Sequence, residues 1–459
     1  MAVDAPSRAL APLPSGLPPV ERRAALPAGF AAGGLAAGIK ASGRLDLALI
    51  VATGGPASAA AVFTPNAFAA APVRLSRANL SGGGRHGWAG AIVCTSGCAN
   101  AATGAAGEAD QAAVGAAVAA AAGVDERAVL HLSTGVIGTR LPVDRVAAGL
   151  RALAPALVAT DEGLLAAAEA FRTTDSVAKI ATTTVDLPAA DAGADGAATT
   201  SVRVSGIAKG VGMIHPRMAT MLAVVLTDAA VPPGTLSSIL RPAAARTWDQ
   251  LSVDGDTSTN DTVFLLASGA SRAAPVEPGT PTEAALAAAV EAVARDLARQ
   301  QAADGEGATT LLTCQVSGAA DDAEARAVAR AVVSSSLVKA AVHGRDPNWG
   351  RIAGATGNAR LADAAVLEAA GLEIGAARSR AGTPAYVDPA RLRISIAGGL
   401  VYDGPSGGPV AFDRAAARAA MDGPEVLVRL DLGLGDGTGE AFGCDLSETY
   451  VVENSEYTT

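Results

Sequence analysis

Apolar and polar positions follow two rhythms along this chain. Short apolar runs closed by glycine, aspartate or serine read as strands, at residues 201–204, 222–226, 311–316, 392–396 and 426–430. Alanine-rich stretches at helical spacing lie between them. Thr280-Pro281-Thr282-Glu283 is a capping box with proline at the first helical position, and it opens a helix to about residue 301. Residues 110–122 read as a buried helix stopped by Gly123, and 321–333 and 415–421 read as helices too. Helices and strands interleave without the strict βαβ alternation of a doubly wound sheet. The pattern predicts a layered α/β (α+β) fold with mixed sheets sandwiched with helices. Residues 186–199, a low-complexity run of Ala, Gly and Asp, read as a surface loop.

Composition narrows the picture. Half of the 459 residues are hydrophobic and only 3% are aromatic, which favours closely packed layers and argues against disorder. The net charge of −10 disfavours nucleic acid and anionic membrane as partners. Without an apolar run of about 18 residues the chain reads as soluble, and a cytoplasmic location is expected. The first 25 residues are rich in Pro, Ala and Ser and lack an apolar h-region, so they read as a disordered tail, with an organelle transit peptide as the alternative. Cys94, Cys98, Cys314 and Cys444 are too few for a disulfide framework, and the C-x3-C pair lacks a second pair of ligands for zinc.

Several motif-like stretches fail the chemistry they mimic. Gly404-Pro405-Ser406-Gly407-Gly408 matches a nucleophile elbow, but Pro409 and Val410 follow in place of a helix and every histidine precedes the serine. A hairpin loop is expected there. Gly210-Val211-Gly212 lacks the third glycine of a dinucleotide fingerprint. Asp254, Asp256, Ser258 and Asn260 alternate like a calcium loop, yet Thr259 and Leu265 stand where glycine and a bidentate glutamate are needed. Gly433, Gly435, Gly437 and Gly439 read as a turn.

The chemistry concentrates in Met218-Ala219-Thr220-Met221-Leu222, between a glycine-rich loop that begins at Lys209-Gly210 and the apolar run 222–226. A threonine at the mouth of a buried strand, after a small residue, is placed to attack the peptide bond before it. Cleavage would leave Thr220 with a free α-amine beside its own hydroxyl. That hydroxyl needs a base. A lysine amine, with a pKa of about 10.4, stays protonated at neutral pH, whereas a terminal α-amine at about 7.7–8 sits close to working pH. Nucleophile and base become one residue. The His215-Pro216 step shapes the loop ahead of this bond.

From about Leu26 to the C-terminus the chain resembles the ornithine acetyltransferase (glutamate N-acetyltransferase) family of the cyclic arginine pathway. The early marks are Gly34-Leu35-Ala36-Ala37-Gly38-Ile39-Lys40, Ala61-Val62-Phe63-Thr64, Ser96-Gly97-Cys98-Ala99-Asn100-Ala101, Ser133-Thr134-Gly135-Val136-Ile137-Gly138 and Thr173-Thr174-Asp175. After the central step come Val253-Asp254-Gly255-Asp256-Thr257-Ser258-Thr259-Asn260-Asp261, Glu306-Gly307-Ala308-Thr309 and Asn348-Trp349-Gly350-Arg351. The resemblance implies an N-terminal-nucleophile-like threonine enzyme that moves acetyl from N2-acetylornithine to glutamate through an acetyl-threonine. It implies Thr220 as nucleophile after cleavage of Ala219–Thr220, and Thr134 and Gly135 as oxyanion hole. Substrate contacts then fall on Thr173 or Thr174, Lys209, Thr220, Glu306, Asn454 and Thr459. Lys209 suits an α-carboxylate, and Glu306 suits the ornithine ammonium.

By the same resemblance residues 26–219 form an alpha fragment and 220–459 a beta fragment. The two fold as one unit and associate as two of each. No metal or cofactor is implied, although some family members also use acetyl-CoA. The chain departs from the family pattern at Arg217, Thr310, Thr458 and Cys98, and across His343-Gly344-Arg345-Asp346-Pro347. These departures mark either a paralogue acting on another N-acetyl amino acid or drift. Two rival readings stand beside the resemblance: an amidohydrolase or aminopeptidase of the same architecture with water as acceptor, and an uncleaved binding module.

Overall fold

The computed structural model describes residues 14, 16–191, 198–215 and 221–455. The chain divides into two compact units, a larger one of Gly16–Ala244 and Asp256–Leu297 and a smaller one drawn from Ala245–Gly255 and Ala298–Thr459. The first strands are β1 (Phe30–Leu35), β2 (Leu47–Ala52), β3 (Ala57–Phe63), β4 (His86–Ala89), β5 (Ala91–Cys98), β6 (Val129–Val136), β7 (Lys179–Pro188), β8 (Thr199–Lys209) and β9 (Leu222–Thr227). They continue as β10 (Leu251–Ser252), β11 (Thr262–Ala267), β12 (Leu311–Ala319), β13 (Arg393–Ile396), β14 (Gly399–Asp403), β15 (Gly408–Pro409), β16 (Glu425–Asp431) and β17 (Gly437–Cys444). The helices begin with α1 (Ala71–Asn79), α2 (Gly104–Ala122), α3 (Val143–Leu153), α4 (Asp161–Phe171), α5 (Pro233–Arg246), α6 (Pro281–Ala303) and α7 (Asp322–Ser334). They end with α8 (Ser336–His343), α9 (Trp349–Gly357), α10 (Ala364–Ala369), α11 (Ile374–Arg380), α12 (Arg414–Ala420) and α13 (Glu448–Ser455).

In the larger unit two mixed sheets share one core. Their strand orders are β1-β2-β5-β6 and β4-β3-β11-β9-β8-β7. The pairs β5–β6 and β9–β11 are parallel. Ala48 and Ile50 of β2 pack in one cluster with Val224 of β9 and Phe264 of β11. The intervening Leu47 and Leu49 turn the other way, toward Val114 and Val118 of α2 and Val146 and Leu150 of α3. Beyond the six-stranded sheet, Val293 and Leu297 of α6 close on Gly206 of β8. The layers run helix, sheet, sheet, helix, as expected from the sequence.

The smaller unit holds one mixed sheet in the order β10-β17-β12-β16-β13-β14-β15. Helix α7 is capped by Asp321, which accepts from Glu324 N at 3.0 Å. It packs Val328, Ala329 and Val332 on Leu312, Cys314 and Val428. Arg299 donates to both carboxylate oxygens of Glu425 at 2.9 Å and to Thr313 Oγ1 at 3.0 Å. Its guanidinium also stacks over Phe442 at 5.6 Å.

Several sequence readings are corrected. The reading found none of β1–β7; β1 and β3 are largely buried runs rich in alanine and glycine that show neither alternation nor β-branched enrichment. Helix α2 starts at Gly104 and not at residue 110, its first turn being masked by glycines. The loop expected at 186–199 is shorter, since Asp186 pairs with Ser201 and Pro188 with Thr199 in the β7–β8 hairpin; residues 192–197 lie outside the described residues. Gly437 and Gly439 belong to β17 and not to a turn, and a side chain at either would run into the backbone of Asp321 or Arg326. The tail expected to be disordered to residue 25 is ordered before that point. Glu21 and Thr182 exchange backbone hydrogen bonds at 2.8 Å, covering the open edge of β7, and Arg22 grips Asp296. The 219/220 boundary falls inside the larger unit, where β9 and β11 share a sheet with β8 and β3.

The buried Arg299–Glu425 pair yields the first prediction. Glu425→Ala removes both oxygens that Arg299 Nη2 donates to. The expected loss is about 3–5 kcal/mol of stability, read as a fall in the midpoint of chemical denaturation.

Candidate active site

Thr134 and Gly135 end β6, beside β5. The pairing slips at Gly97–Cys98, where a bulge faces Gly135. Gly135 has φ +127° and is backed so closely against Gly97 that a Cβ would collide with its carbonyl group. Only glycine suits that conformation and that contact. Thr134 is buried beside it. Asn260 holds this strand end in place: its side-chain amide donates to Ser133 O at 2.8 Å and to Ala99 O at 2.7 Å.

Lys209, at the end of β8, points its Nζ to within 3.2 Å of Thr134 Oγ1. Behind it lies Asp175, fully buried. The carboxylate accepts Lys179 Nζ at 2.7 Å, Gly210 N at 2.8 Å and Thr173 N at 3.0 Å, and lies 3.9 Å from Lys209 Nζ. Burial pushes the Asp175 pKa up, but the Lys179 and Lys209 ammoniums and the Gly210 N–H outweigh it and hold the group well below the usual carboxylate range. Lys40 grips the same turn from the other side, donating to Arg172 O at 2.5 Å and Leu45 O at 2.6 Å. Burial lowers its pKa to about 8.

The described parts of the loop from Gly210 to Met221 are fastened to the rest of the unit. Ile214 forms a bridge with Thr257, and Thr257 Oγ1 donates to His215 O at 3.0 Å. At the far end Met221 N donates to Asp261 Oδ1 at 2.9 Å, and Thr262 N donates to Met221 O at 3.1 Å. Residues 216–220, with the predicted pair Ala219 and Thr220, lie outside the described residues, as do Thr458 and Thr459.

In the smaller unit Asn454 of α13 donates to Glu306 Oε2 at 3.0 Å. The loop carrying Glu306 is anchored by Ser447 Oγ on Gly307 O at 2.6 Å and by Asp445. That carboxylate accepts Thr309 N at 2.8 Å, Thr309 Oγ1 at 2.6 Å and Thr310 N at 2.9 Å, and meets His343 Nδ1 at 2.8 Å.

The fold therefore brings Thr134, Gly135 and Lys209 together in one unit with Thr173 tied behind them, and Glu306 and Asn454 together in the other. Sequence reasoning missed the roles of Asp175, Lys179, Lys40, Asn260 and Asp261. The last two stood in a polar run rejected as a calcium loop, and that run, dense in hydroxyl and amide groups ahead of an apolar strand, was the available signal. Among the described residues no group of three or more His, Cys, Asp and Glu is arranged to hold a metal, and no helix is long and apolar enough to cross a membrane.

Comparison with known proteins follows this geometry. The model of the ArgJ family matches residues 31–459. "Arginine biosynthesis bifunctional protein ArgJ" of a Synechococcus species is 45% identical over 434 residues, covering 94% of this chain and 96% of the relative. The protein of the same name from Thermus thermophilus is 43% identical over 434 residues, covering 95% and 99%. Among solved structures, ArgJ from Bacillus halodurans is 36% identical, covering 50% of this chain and 97% of that one, with a TM-score of 0.43. Ornithine acetyltransferase complexed with ornithine, from Mycobacterium tuberculosis, is 39% identical, covering 43% and 97%, with a TM-score of 0.37.

Two outcomes are expected. Asn260→Ala strips the donor from two carbonyls at the end of β6 and lowers stability by about 2 kcal/mol or more, measured by thermal melting. Asp175 has a folded pKa below its unfolded value of about 3.9, so its contribution is fully present above about pH 4 and is lost as pH falls through the folded value. Denaturation midpoints measured on progressive acidification should fall in that acid window.

Proposed function

The chain belongs to the ArgJ family, and we propose that it carries acetyl from N2-acetylornithine to glutamate on Thr220, once cleavage of Ala219–Thr220 has freed that residue. The observation that carries this reading is the loop between Lys209 and Leu222, pinned at Gly210, His215 and Met221 and opening beside Thr134. A nucleophile borne on that loop starts from fixed ends.

In the proposed reaction the α-amine of Thr220 takes the hydroxyl proton while the oxygen attacks the acetyl carbonyl. The developing oxyanion is met by Gly135 N–H and the Thr134 hydroxyl. Lys209 donates into Thr134 Oγ1, so the threonine's own proton is directed to another acceptor. The ammonium also polarises that O–H and strengthens it as a donor. Collapse breaks the C–N bond, and ornithine leaves with the proton held by the amine. The amine of glutamate then attacks the acetyl-threonine ester by the reverse sequence. Lys209 is assigned to the substrate carboxylate, with Thr173 or Thr174 beside it, and Glu306, Asn454 and Thr459 are further substrate contacts.

Cleavage at 219/220 leaves the sheet closed. β9 and β11, which follow the break, pair with β8 and β3, which precede it. Fragments 26–219 and 220–459 therefore stay together, and two of each are expected to associate.

Intact mass of freshly purified protein should show one piece ending at residue 219 and another of 240 residues, 220–459, while Thr220→Ala stays whole. A single full-length species from the native chain overturns the mechanism. Supplied with acetylornithine and glutamate, the enzyme should yield ornithine and acetylglutamate. Release of acetate without glutamate would favour the amidohydrolase, and acetyl-CoA as sole donor tests the second activity. Thr134→Ala should lower kcat by about 10²-fold with little change in KM.

A further inference from the structure

Asp175 and Lys40 lie outside the residues assigned to chemistry, yet between them they hold the turn before Thr173, the start of the loop at Gly210 and, by charge, Lys209 beside Thr134. The Asp175 carboxylate collects donors from three separate segments: Thr173 N in the turn after α4, Lys179 Nζ at the start of β7, and Gly210 N at the first residue of the loop that leads to Thr220. From the opposite side Lys40 Nζ binds Arg172 O, one residue before Thr173. Lys40 is itself fixed, since Asp46 accepts Lys40 N at 2.9 Å and both Ala37 N and Ile39 N at 2.6 Å. Its stem also runs along the bulge at Gly97 that backs Gly135. The turn at residues 172–175 is thus gripped at both ends by buried or half-buried charges.

We propose that Asp175, braced by Lys40, is a positioning residue that sets the Thr173–Thr174 turn, Lys209 and the start of the self-cleaving loop as one unit, coupling autoprocessing to substrate binding. The proposal rests on the function assigned above. One carboxylate accepts from the turn at Thr173 and from the loop at Gly210, so neither can shift alone without breaking a charge-assisted hydrogen bond, and it holds Lys209 by charge at 3.9 Å. Asp175 lies 2.7 Å from Lys179 and 3.9 Å from Lys209. Lys179 is the structural partner, and Lys209 is held at a distance that leaves it directed at Thr134. Lys40 Nζ donates to Arg172 O in the turn and to Leu45 O, and among the described residues to none of the loop. The two residues should therefore separate in their effects: Asp175 bears on processing and binding, Lys40 on binding alone.

The test uses the full-length chain, followed by intact mass for processing and by the acetylornithine–glutamate assay for kcat and KM. If the wild type neither cleaves at 219/220 nor transfers acetyl, the assigned function fails and this role falls with it. If the wild type does both, the variants decide. Asp175→Asn combined with Lys179→Met keeps the buried charge balanced. It should slow processing about tenfold or more and raise KM for acetylornithine about tenfold or more, the loss expected of a hydrogen bond to a charged group. In the processed fraction kcat should stay within about threefold. A purely structural role predicts wild-type processing and KM once charge balance is restored, and that result overturns the proposal. Lys40→Met should raise KM while processing stays at the wild-type rate, and Lys40→Arg should restore KM. An unchanged KM in Lys40→Met overturns the bracing role. Should the double variant fail to melt cooperatively, Lys40→Met and its arginine rescue carry the decision, because they leave Asp175 in place.

Discussion

The register that sets Lys209 opposite Leu222 is the constraint on which the rest of the site depends. It closes the loop of residues 210–221 on adjacent positions of one antiparallel pair, so the loop starts and ends at the same sheet edge. β9 is also flanked on its other side by β11, in parallel register. A free loop of that length would cost conformational entropy and leave its middle undirected. Here the two sides of the loop are tethered at Gly210, at Ile214–His215 and at Met221. Self-cleavage needs this, because the attacking oxygen and the carbonyl must meet in one geometry before any substrate is present to organise them. The same pairing joins β8 and β9 on either side of the cut proposed above.

Buried carboxylates supply the tethers. Asp46 gathers the N–H groups of residues 37, 39 and 40, Asp175 those of 173 and 210, Asp261 that of 221, and Asp445 those of 309 and 310. Each fixes a loop bearing a residue of the site or of its support. A carboxylate suits this task because it accepts from several donors at once and is costly to bury unfilled. A neutral acceptor would let the loop relax to water at little cost. The larger unit sets its acids against Lys40, Lys179 and Lys209, so the acids that shape the loops also determine where the cations point. The smaller unit uses the device with one histidine.

What the sequence made legible follows from this division. Local signals were read well: the Thr280 cap accepts Glu283 N at 3.2 Å, Gly123 ends α2 at φ +69°, and Ser406 lies in a hairpin turn before β15. Thr134, Gly135 and Lys209 were named through the family pattern, and the fold sets them together. The supporting residues were not legible. Asp175 follows two threonines and reads as a turn acid, and nothing nearby in sequence announces that residues 179 and 210 converge on it. Asn260 and Asp261 act on residues 99, 133 and 221, at separations no local pattern can reveal. The strands of the four-stranded sheet were missed for a simpler reason, since layers buried on both faces erase the alternation by which a strand is recognised.

The departures from the family pattern take on a different weight in the fold. Cys98 donates its thiol to Thr139 O at 3.2 Å and sits in the bulge behind Gly135, where it supports backbone. Thr310 is buried at the entrance of β12, its hydroxyl has no hydrogen-bond partner among the described residues, and its N–H goes to Asp445. His343, from the second altered stretch, meets the other oxygen of that carboxylate and comes within 3.4 Å of Glu448 at the start of α13. Two departures far apart in sequence thus converge on one acid. Thr310 reaches Asp445 through its backbone N–H, which a different side chain there leaves in place, so the side-chain change that bears on this acid, and through it on the Glu306 loop, is His343. Drift confined to a tether can be offset by a new donor on the same acceptor, whereas a change of substrate would have to alter the contacts themselves. Lys209, Glu306 and Asn454, the contacts proposed for substrate, match the family pattern, in keeping with the acetylornithine reading.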